Sequence, residues 1–259
     1  MAEIEVQNVS YSYNGNMALS NVSFRVNNKD FIGIIGPNGG GKTTLLKLLL
    51  GMIEPAGGTI RIFGKRPARV TRELGYVPQN TNVNESFPIS IMDVTLTGRL
   101  GNRRVLRFSR SDRKAAQRSL EQVDMWDKRS ERIGSLSVGQ RQRVFVARAL
   151  TTDPKILLLD EPTASIDPAG QSRLFEILKA LNEKLTILLV SHDMNLLLEY
   201  VTQVACVNRE LFYHDAPHVT SEMLNETFGF SFDQICPLEE LPDKRPSISG
   251  HEKEEKKRD

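Results

Sequence analysis

The fold of this chain is decided by the stretch Gly36-Pro37-Asn38-Gly39-Gly40-Gly41-Lys42-Thr43-Thr44, which fits the phosphate-binding loop (P-loop) pattern G-x-x-x-x-G-K-[ST] at every fixed position. The apolar run Phe31–Ile35 before it predicts a strand, and Leu45–Leu50 after it predicts a helix. In that context the glycines let the backbone curl round a polyphosphate with its N–H groups pointing inward, and the helix N-terminus adds partial positive charge. The stretch Gly36–Thr44 is therefore predicted to bind a nucleoside triphosphate. A glycine-rich turn that binds nothing does not account for both flanks.

Two side chains of the P-loop have expected roles at the phosphates. Lys42 would reach the β- and γ-phosphates, and Thr43 would offer its hydroxyl to the Mg²⁺ ion that accompanies the nucleotide. The loop indicates the nucleotide, and it does not indicate what the energy is used for.

The composition indicates an ordinary globular protein. The 259 residues suffice for one large α/β domain or two small ones, and 39% hydrophobic and 25% charged residues are typical of a soluble domain. The net charge of +2 gives no global field that favours nucleic acid or membrane. Cys206 and Cys236 form no disulfide or metal pattern, so reduced thiols in a cytosolic protein are expected. Met1–Val6 alternates like a strand and lacks the apolar core of a signal peptide, and no apolar run reaches the length of a spanning helix.

The order of the predicted elements indicates an α/β domain. Residues 1 to about 30 read as strands, with a hairpin signal at Tyr11–Asn16, and residues 91–151 have a mainly helical pattern. Strands then alternate with helices from Lys155 to Val201, which implies parallel strands joined by crossovers. Residues 204–214 look like a closing hairpin, and the tail from about Pro242 is rich in Pro, Lys and Glu, so disorder is expected there.

A second nucleotide motif begins with the apolar run Ile156–Leu159, which is typical of a buried parallel strand. Ligands of open α/β sheets bind at the carboxyl ends of the strands, so Asp160 is expected beside the P-loop, where it would hold the Mg²⁺ shell. Glu161 follows and is well placed to polarise an attacking water. The simpler interpretation is a strand end with two solvated carboxylates. The P-loop upstream makes that interpretation the weaker of the two.

Between these two motifs the chain reads Leu136-Ser137-Val138-Gly139-Gln140, which resembles the signature L-S-G-G-Q of the ATP-binding cassette (ABC) family. The resemblance extends to about residue 230, and the other family elements stand in the family's order. Gln79 follows a strand where the family has its Q-loop, Ser165-Ile166-Asp167 stands where it has its D-loop, and His192 stands where it has its switch histidine. Six elements at family order are far more specific than a P-loop alone.

The resemblance implies an ATP- and Mg²⁺-dependent hydrolase that acts as a homodimer. In the family two domains face head to tail and trap two ATP molecules, so Ser137, Gly139 and Gln140 of one subunit would contact the γ-phosphate held by the other subunit's P-loop. Gln79 would bind Mg²⁺ or water without adding charge. His192 would donate to the γ-phosphate and position water; a plain strand-end histidine is the alternative.

Three further positions follow from the same resemblance. Tyr13, with Tyr11 as the alternative, stands where the family stacks an aromatic ring on adenine, and Asp167 belongs to the D-loop. Val138 departs from the family, which usually has glycine there. Because a β-branched residue strongly disfavours positive φ, either Val138 keeps a negative φ or the turn is strained.

The fold class that the resemblance implies is α/β. It is that of a P-loop NTPase with a mixed, mainly parallel core sheet, an N-terminal antiparallel β-subdomain and an inserted helical subdomain. The expected boundaries are a nucleotide-binding domain over residues 1–230, with the helical subdomain at about 88–152, and a C-terminal extension over 231–259 that is disordered from about 242.

A single nucleotide-binding domain with no spanning segment looks like the separate ATPase subunit of a bacterial importer. It would dock on an integral membrane permease near Gln79 and Phe87–Ile89, at the cytoplasmic face of the inner membrane, in a system with a periplasmic or lipoprotein metal-binding protein. Four stretches resemble the zinc, manganese and iron importer ATPases: Gly39-Gly40-Gly41 in the P-loop, Phe87–Val94, Gly98-Arg99 and Val207–Arg209. Siderophore and cobalamin importer ATPases are the closest alternative. A buried loop anchor is nearly as good an interpretation of Phe87 alone.

Other functions are disfavoured on the sequence. A soluble ABC ATPase that acts on nucleic acid would be expected to carry long heptads or a duplicated cassette, so no nucleic acid partner is expected, and a P-loop kinase does not explain the signature. His214, His218 and Cys236 match no standard zinc spacing and are better read as surface residues. A basic run could face anionic lipid headgroups or nucleic acid, although most such runs are solvated; it comprises Arg99, Arg103, Arg104, Arg107, Arg110, Arg113, Lys114 and Arg118.

Overall fold

Nine strands are formed by the part of the chain that the computed structural model describes, which is residues 2–79, 87–101, 107–191 and 194–215. They are β1 (Ala2–Tyr13), β2 (Asn16–Asn27), β3 (Phe31–Ile35), β4 (Gly57–Ile62), β5 (Leu74–Val77), β6 (Ile156–Asp160), β7 (Thr186–Val190), β8 (Gln203–Asn208) and β9 (Glu210–Asp215).

The α-helices of the described residues lie mostly between the strands of the second half. They are α1 (Lys42–Leu49), α2 (Ile91–Leu96), α3 (Arg110–Gln122), α4 (Val138–Leu150), α5 (Pro168–Asn182) and α6 (Met194–Leu198). Short 3₁₀ turns lie at Pro67–Arg69, Thr71–Glu73, Thr97–Arg99, Trp126–Lys128 and Ile133–Ser135. Helix α1 begins at Lys42 rather than at the first apolar residue, Leu45, because the end of the P-loop is itself the first helical turn.

The N-terminal sheet is antiparallel, with the strand order β2-β1-β4. The predicted hairpin is present: β1 turns into β2 at Asn14 and Gly15, whose φ angles of 47° and 83° are those of a hairpin turn that requires positive φ at both central residues. Asn and Gly are the residues that adopt this conformation at the lowest cost.

The second sheet has six strands in the order β5-β6-β7-β3-β8-β9. All neighbouring pairs are parallel except β8 and β9, which form the predicted antiparallel closing hairpin. The predicted fold class is confirmed: a mixed, mainly parallel sheet is combined with an N-terminal antiparallel sheet and a helical region. The order places β3 in the middle of the sheet, between β7 and β8.

The core has two layers, and the alternation of β3 divides its residues between them. Phe31 and Ile35 pack into a cluster with α4 and α5, whereas Ile32 and Ile34 pack into a cluster with α1 and the N-terminal sheet. Because successive side chains of a strand point to opposite faces, a strand covered on both faces is apolar throughout. All residues of β3, β6 and β7 are buried, in agreement with this rule.

Helices α2, α3 and α4 form one unit, and Arg99 joins them. The Arg99 Nε donates to Asp112 on α3 over 3.0 Å, and its guanidinium donates to the Thr151 carbonyl at the end of α4 over 2.9 Å. Asp112 is fully buried and completes a capping box with Ser109. A buried carboxylate needs such partners, since an unpaired one would cost several kcal/mol, on the order of 3–5.

No helix among residues 2–79, 87–101, 107–191 and 194–215 has the length and apolar character required to span a bilayer.

Candidate functional site

The P-loop follows β3 and surrounds the ammonium group of Lys42. The Lys42 Nζ donates to the carbonyl oxygens of Gly36 (2.8 Å) and Pro37 (3.0 Å), and the Lys42 side chain is buried. The Gly40 N–H donates to the Pro37 carbonyl over 3.0 Å, which closes the loop. Neutral carbonyls are modest acceptors for an ammonium, and phosphate oxygens are stronger ones. Lys42 therefore lies at the centre of the loop in a position suited to a triphosphate.

Three glycines of the loop, Gly36, Gly40 and Gly41, lie where a side chain would collide with neighbouring backbone. Gly41 has a φ of 106°, and a Cβ there would lie 2.6 Å from the Ala18 carbonyl oxygen on β2. A Cβ on Gly40 would lie 2.8 Å from the Val207 carbonyl oxygen on β8. The loop can pack this closely against both strands only because these positions carry no side chain.

Asp160 ends β6 and lies beside the P-loop. The Thr43 Oγ1 donates to the Asp160 Oδ1 over 3.4 Å, and Asp160 is 2% exposed. A hydroxyl and a carboxylate are hard oxygen donors of the kind that Mg²⁺ takes together with phosphate oxygens and water. The two side chains therefore fit a magnesium ion that is bound with a nucleotide.

Burial shifts the pKa values of both charged groups towards the neutral forms. Desolvation lowers the pKa of Lys42, although the charges of Glu161 and Asp160 oppose that shift. Desolvation raises the pKa of Asp160; the hydrogen bond from Thr43 opposes this rise, and the charge of Glu161 adds to it. An anion beside Lys42 and a cation beside Asp160 would each stabilise the charged form.

The raised pKa of Asp160 predicts that Asp160→Asn raises the melting temperature of the nucleotide-free protein at pH 7. The folded state disfavours the Asp160 carboxylate, whereas asparagine keeps an acceptor for Thr43 without the charge. When the pKa of a carboxyl is higher in the folded state than in the unfolded state, ionisation of that carboxyl destabilises the fold. This loss of stability is absent below the unfolded-state pKa and complete above the folded-state pKa. The gain should therefore shrink as the pH is lowered and vanish near pH 4, which calorimetry at several pH values would measure.

The matched control for this prediction is Asp153→Asn. Asp153 is 74% exposed, and its ion pair with Arg118, at 3.5 Å, joins two exposed side chains. Because exposed ion pairs contribute little to stability, the same loss of charge is expected to leave the melting temperature nearly unchanged. An Asp160→Asn protein that melts at or below the wild-type temperature at pH 7 would contradict the electrostatic account of the site.

Glu161 leaves β6 in the left-handed backbone region, with a φ of 46°. Its N–H donates to the Val190 carbonyl at the end of β7 over 3.0 Å, and its Oε2 accepts from the Gln79 Nε2 over 2.7 Å. Non-glycine residues with positive φ are uncommon, and they cluster at functional sites. The geometry brings the glutamate to the Q-loop residue, next to Asp160.

The signature motif forms the beginning of α4. Ser137 is the N-cap: its Oγ accepts from the Gln140 N–H over 3.3 Å, and its own N–H donates to the Gln140 Oε1 over 3.1 Å. Val138 is the first helical residue and packs against the core, so its φ is negative and the turn carries no strain from the missing glycine. Of the two outcomes that the sequence left open for Val138, the structure has the unstrained one.

The signature motif also contacts the D-loop. A Cβ on Gly139 would lie 3.2 Å from the Ile166 Cγ2, so α4 begins directly against this loop. Asp167 N-caps α5, because its side chain accepts from the Gly170 N–H over 3.4 Å. The signature motif and the D-loop are therefore neighbours in one subunit.

The predicted site residues fall into two groups in a single chain. The P-loop, Asp160, Glu161 and Gln79 are brought together, whereas the described contacts of Ser137 and Gly139 run to α4 and the D-loop and none of them reaches the P-loop. Tyr13 is 42% exposed at the hairpin, and its ring lies edge-on to Tyr11, with 4.8 Å between the centroids.

Some sequence predictions lie outside the residues that the structure describes. His192, His218 and Cys236 are among them, as are Arg103 and Arg104 of the basic run. Within the described ranges no group of three or more His, Cys, Asp or Glu side chains is arranged to hold a metal ion.

The turn between β8 and β9 is a part of the site that sequence reasoning missed. The Arg209 N–H donates to the Gly40 carbonyl over 2.9 Å, and the Arg209 carbonyl accepts from the Ser20 N–H over 2.7 Å. The turn thus ties the P-loop to β2. The positive φ of Arg209, 62°, carries no sequence signal of the kind that glycine gives, and these bonds involve only backbone atoms. Residue types could therefore not reveal the contact.

A P-loop after a central parallel strand, with a buried carboxylate and a second one beside it, defines a P-loop nucleotide hydrolase. Comparison with known proteins makes this class more specific. The profile of the family described as ABC transporter matches residues 19–164. The zinc uptake system ATP-binding protein ZurA of Listeria innocua is 39% identical over 83% of this chain and 86% of its own length. The manganese transport system ATP-binding protein MntB of Bacillus subtilis is 38% identical over 88% of this chain and 93% of its own.

Solved structures agree with the sequence comparison. A metal-chelate type ABC transporter in an inward-facing conformation superposes with a TM-score of 0.79 at 28% identity, covering 89% of this chain and 90% of the other. CbiO1 from Clostridium perfringens, part of a transporter complex, superposes with a TM-score of 0.75 at 25% identity, covering 90% and 97%. The chain belongs to the ABC transporter family. It is an ATP-binding and ATP-hydrolysing subunit, as the sequence predicted.

Proposed function

We propose that this chain hydrolyses ATP to drive uptake of a divalent metal ion, zinc or manganese, through a separate membrane permease. The observation that carries the proposal is the likeness, over more than four fifths of the chain, to ATP-binding proteins of a zinc uptake system and a manganese transport system. The transported ion would bind in the permease and in a periplasmic or lipoprotein capture protein. The ATPase supplies the energy.

The residues of the site would divide the work on ATP. The P-loop N–H groups and Lys42 would hold the phosphates, and Glu161 would accept a proton from the attacking water. Thr43 and Asp160, with Gln79, would hold Mg²⁺, which supplies positive charge against the phosphate oxygens when it is bound. The 2.7 Å contact between Gln79 and Glu161 supports a shared role, since both side chains can reach the same water.

The second group of site residues would act on the nucleotide of another subunit. Ser137, Gly139 and Gln140 form a helix N-terminus, which suits a phosphate, and they make no described contact with the P-loop of their own chain. A head-to-tail homodimer would bring the two groups together across ATP. A similar ATP-binding cassette, 26% identical with a TM-score of 0.69 over 82% of this chain, is dimeric with ADP and Pi bound, which supports a dimer.

The permease would dock near Gln79 and Phe87–Ile89, at the cytoplasmic face of the inner membrane. Phe87 is 57% exposed, which is unusual for a phenylalanine, while the Ile89 carbonyl is fixed by the Ile133 N–H at 3.1 Å. A segment that is anchored at Ile89 and presents an exposed aromatic ring suits a docking surface. We also propose the boundaries given by the sequence: a nucleotide-binding domain over 1–230, with its helical subdomain at about 88–152.

Uptake of a metal chelate is the second candidate. It is favoured by the superposition with a metal-chelate type transporter at a TM-score of 0.79. Proteoliposomes that contain this chain and its permease would separate the two. Uptake of free zinc or manganese that requires ATP supports the first proposal, whereas uptake of a siderophore or cobalamin, with no uptake of the free ions, would replace it by the second.

Phe87→Ser is expected to lower the amount of permease that co-purifies with this chain by at least about tenfold, because the exposed ring of a central contact residue is worth about 2 kcal/mol or more. Phe212→Ser is the matched control, since Phe212 is 43% exposed on β9, away from the proposed docking segment. Equal recovery of the permease with both variants would contradict docking at Phe87. Thermal unfolding of the isolated subunits checks that both variants are folded.

A further inference from the structure

The solvent-exposed face of α3 carries a cationic surface that the nucleotide site does not use. We define the basic face as Arg110, Arg113, Lys114 and Arg118, all of which are exposed, while the opposite face of the helix is buried. In a helix with 3.6 residues per turn these positions share one side and extend over about 12 Å. The basic face is therefore a continuous array, which Glu121 borders at the C-terminal end of α3, where its carboxylate accepts from the Gln117 Nε2 over 2.8 Å.

The basic face has little counter-charge. Among the described residues, no carboxylate lies within ion-pair distance of Arg110, Arg113 or Lys114. Asp112, the one acidic residue in the first turn, is fully buried and bonded to Arg99. Arg118 lies 3.5 Å from Asp153, and both side chains are mostly exposed. Because such an exposed ion pair is weak, Arg118 can still interact with an anionic partner.

Helix stability does not explain these cations. The capping box of Ser109 and Asp112 already fixes the start of α3. Positive charge in the first turn of a helix opposes the helix dipole, which favours anions there, and Arg110 is the first residue of α3. Arg113 and Lys114 lie beyond that turn and gain nothing from the dipole, so a benefit outside the folded subunit is the better explanation for these three cations.

We propose that the basic face binds anionic lipid headgroups and holds this subunit against the membrane surface. A convex helix face with spread charges suits a plane of phosphates, and α3 has no aromatic side chain on which a nucleic acid base could stack. The preference for lipid also rests on the proposed function, because a transporter subunit works beside a bilayer. Each cation near an anionic surface is expected to strengthen partitioning about fivefold.

The test uses the full-length chain and vesicles without any permease. Co-sedimentation at about 0.1 M salt compares vesicles made of equal parts phosphatidylglycerol and phosphatidylcholine with vesicles of phosphatidylcholine alone. Binding is expected only to the anionic vesicles, and it should weaken as salt is raised. The triple variant Arg110→Gln, Arg113→Gln, Lys114→Gln should bind them at least about tenfold more weakly. Glutamine keeps helix propensity, so α3 should stay folded.

The matched control removes the same charge elsewhere. Lys65, Arg66 and Arg69 are exposed on the β4 side of the molecule, and their triple change to glutamine should leave vesicle binding within about twofold of wild type. If both triple variants lose vesicle binding equally, the effect is one of net charge and the proposal is overturned. The proposal is also overturned if the wild-type protein does not bind the anionic vesicles. Tighter binding of the basic face to a single-stranded oligonucleotide than to the vesicles would replace lipid by nucleic acid. None of these outcomes depends on ATP or the permease, so the proposed function is tested separately.

Discussion

Replacement of Glu161 by glutamine is expected to lower the rate of ATP hydrolysis by about 10²–10⁴-fold and to leave ATP binding intact. The carboxylate is the group that would accept the proton of the attacking water, and an amide of the same size cannot. The Gln79 contact at 2.7 Å can persist, because the Glu161→Gln side chain still offers an oxygen to the Gln79 amide. Single-turnover hydrolysis and equilibrium nucleotide binding would be measured on the same preparation. With hydrolysis stalled, ATP should hold the variant in its dimeric form.

The matched control for this variant is Glu183→Gln. Glu183 is exposed at the end of α5, so its neutralisation changes the net charge equally and should leave turnover within about twofold of wild type. Unchanged turnover of Glu161→Gln would remove Glu161 as the base. Loss of ATP binding in that variant would instead point to a structural role, for which the positive φ of Glu161 offers a reason.

The parts of the site that the sequence predicted are those in which residue type is dictated by the local task. Gly41 must be glycine because a Cβ would lie 2.6 Å from the Ala18 carbonyl oxygen, and Asp160 must follow a wholly apolar strand because β6 is buried on both faces. The rule that ligands bind at the carboxyl ends of parallel strands then brings both to one edge of the sheet. Family resemblance supplied the remaining elements, of which the Q-loop residue Gln79 proves to contact Glu161.

The parts that the sequence did not predict depend on backbone geometry and on contacts between distant segments. The bond from the Arg209 N–H to the Gly40 carbonyl is made by main-chain atoms, so side-chain identity carries no trace of it. The φ of Val138 could be negative or positive on sequence grounds, and the capping box that places Ser137 as N-cap decides it. The start of α1 at Lys42 was likewise hidden, because apolar periodicity marks only the buried part of a helix.

Ser137 offers a way to test the head-to-tail dimer separately from the fold. In the Glu161→Gln background, Ser137→Asp is expected to abolish the ATP-dependent dimer, measured by light scattering, and to leave ATP binding to the monomer unchanged. Aspartate is as good an N-cap as serine and is favoured by the helix dipole, so α4 should keep its stability. Its charge would face the γ-phosphate of the other subunit's ATP, and two anions about 4 Å apart repel by about 4 kcal/mol near a protein surface, roughly a 10³-fold loss of affinity.

A second pair of variants separates repulsion from loss of the cap. Ser137→Ala removes the hydroxyl that accepts from the Gln140 N–H, which costs about 1 kcal/mol of stability, and it adds no charge, so it should weaken the dimer only moderately. Ser135→Asp, also exposed and two residues earlier, adds the same charge outside the cap and should leave the dimer nearly intact. If Ser137→Asp and Ser135→Asp dimerise equally well with ATP, then Ser137 does not face a phosphate, and the pairing of P-loop and signature across two subunits has to be abandoned.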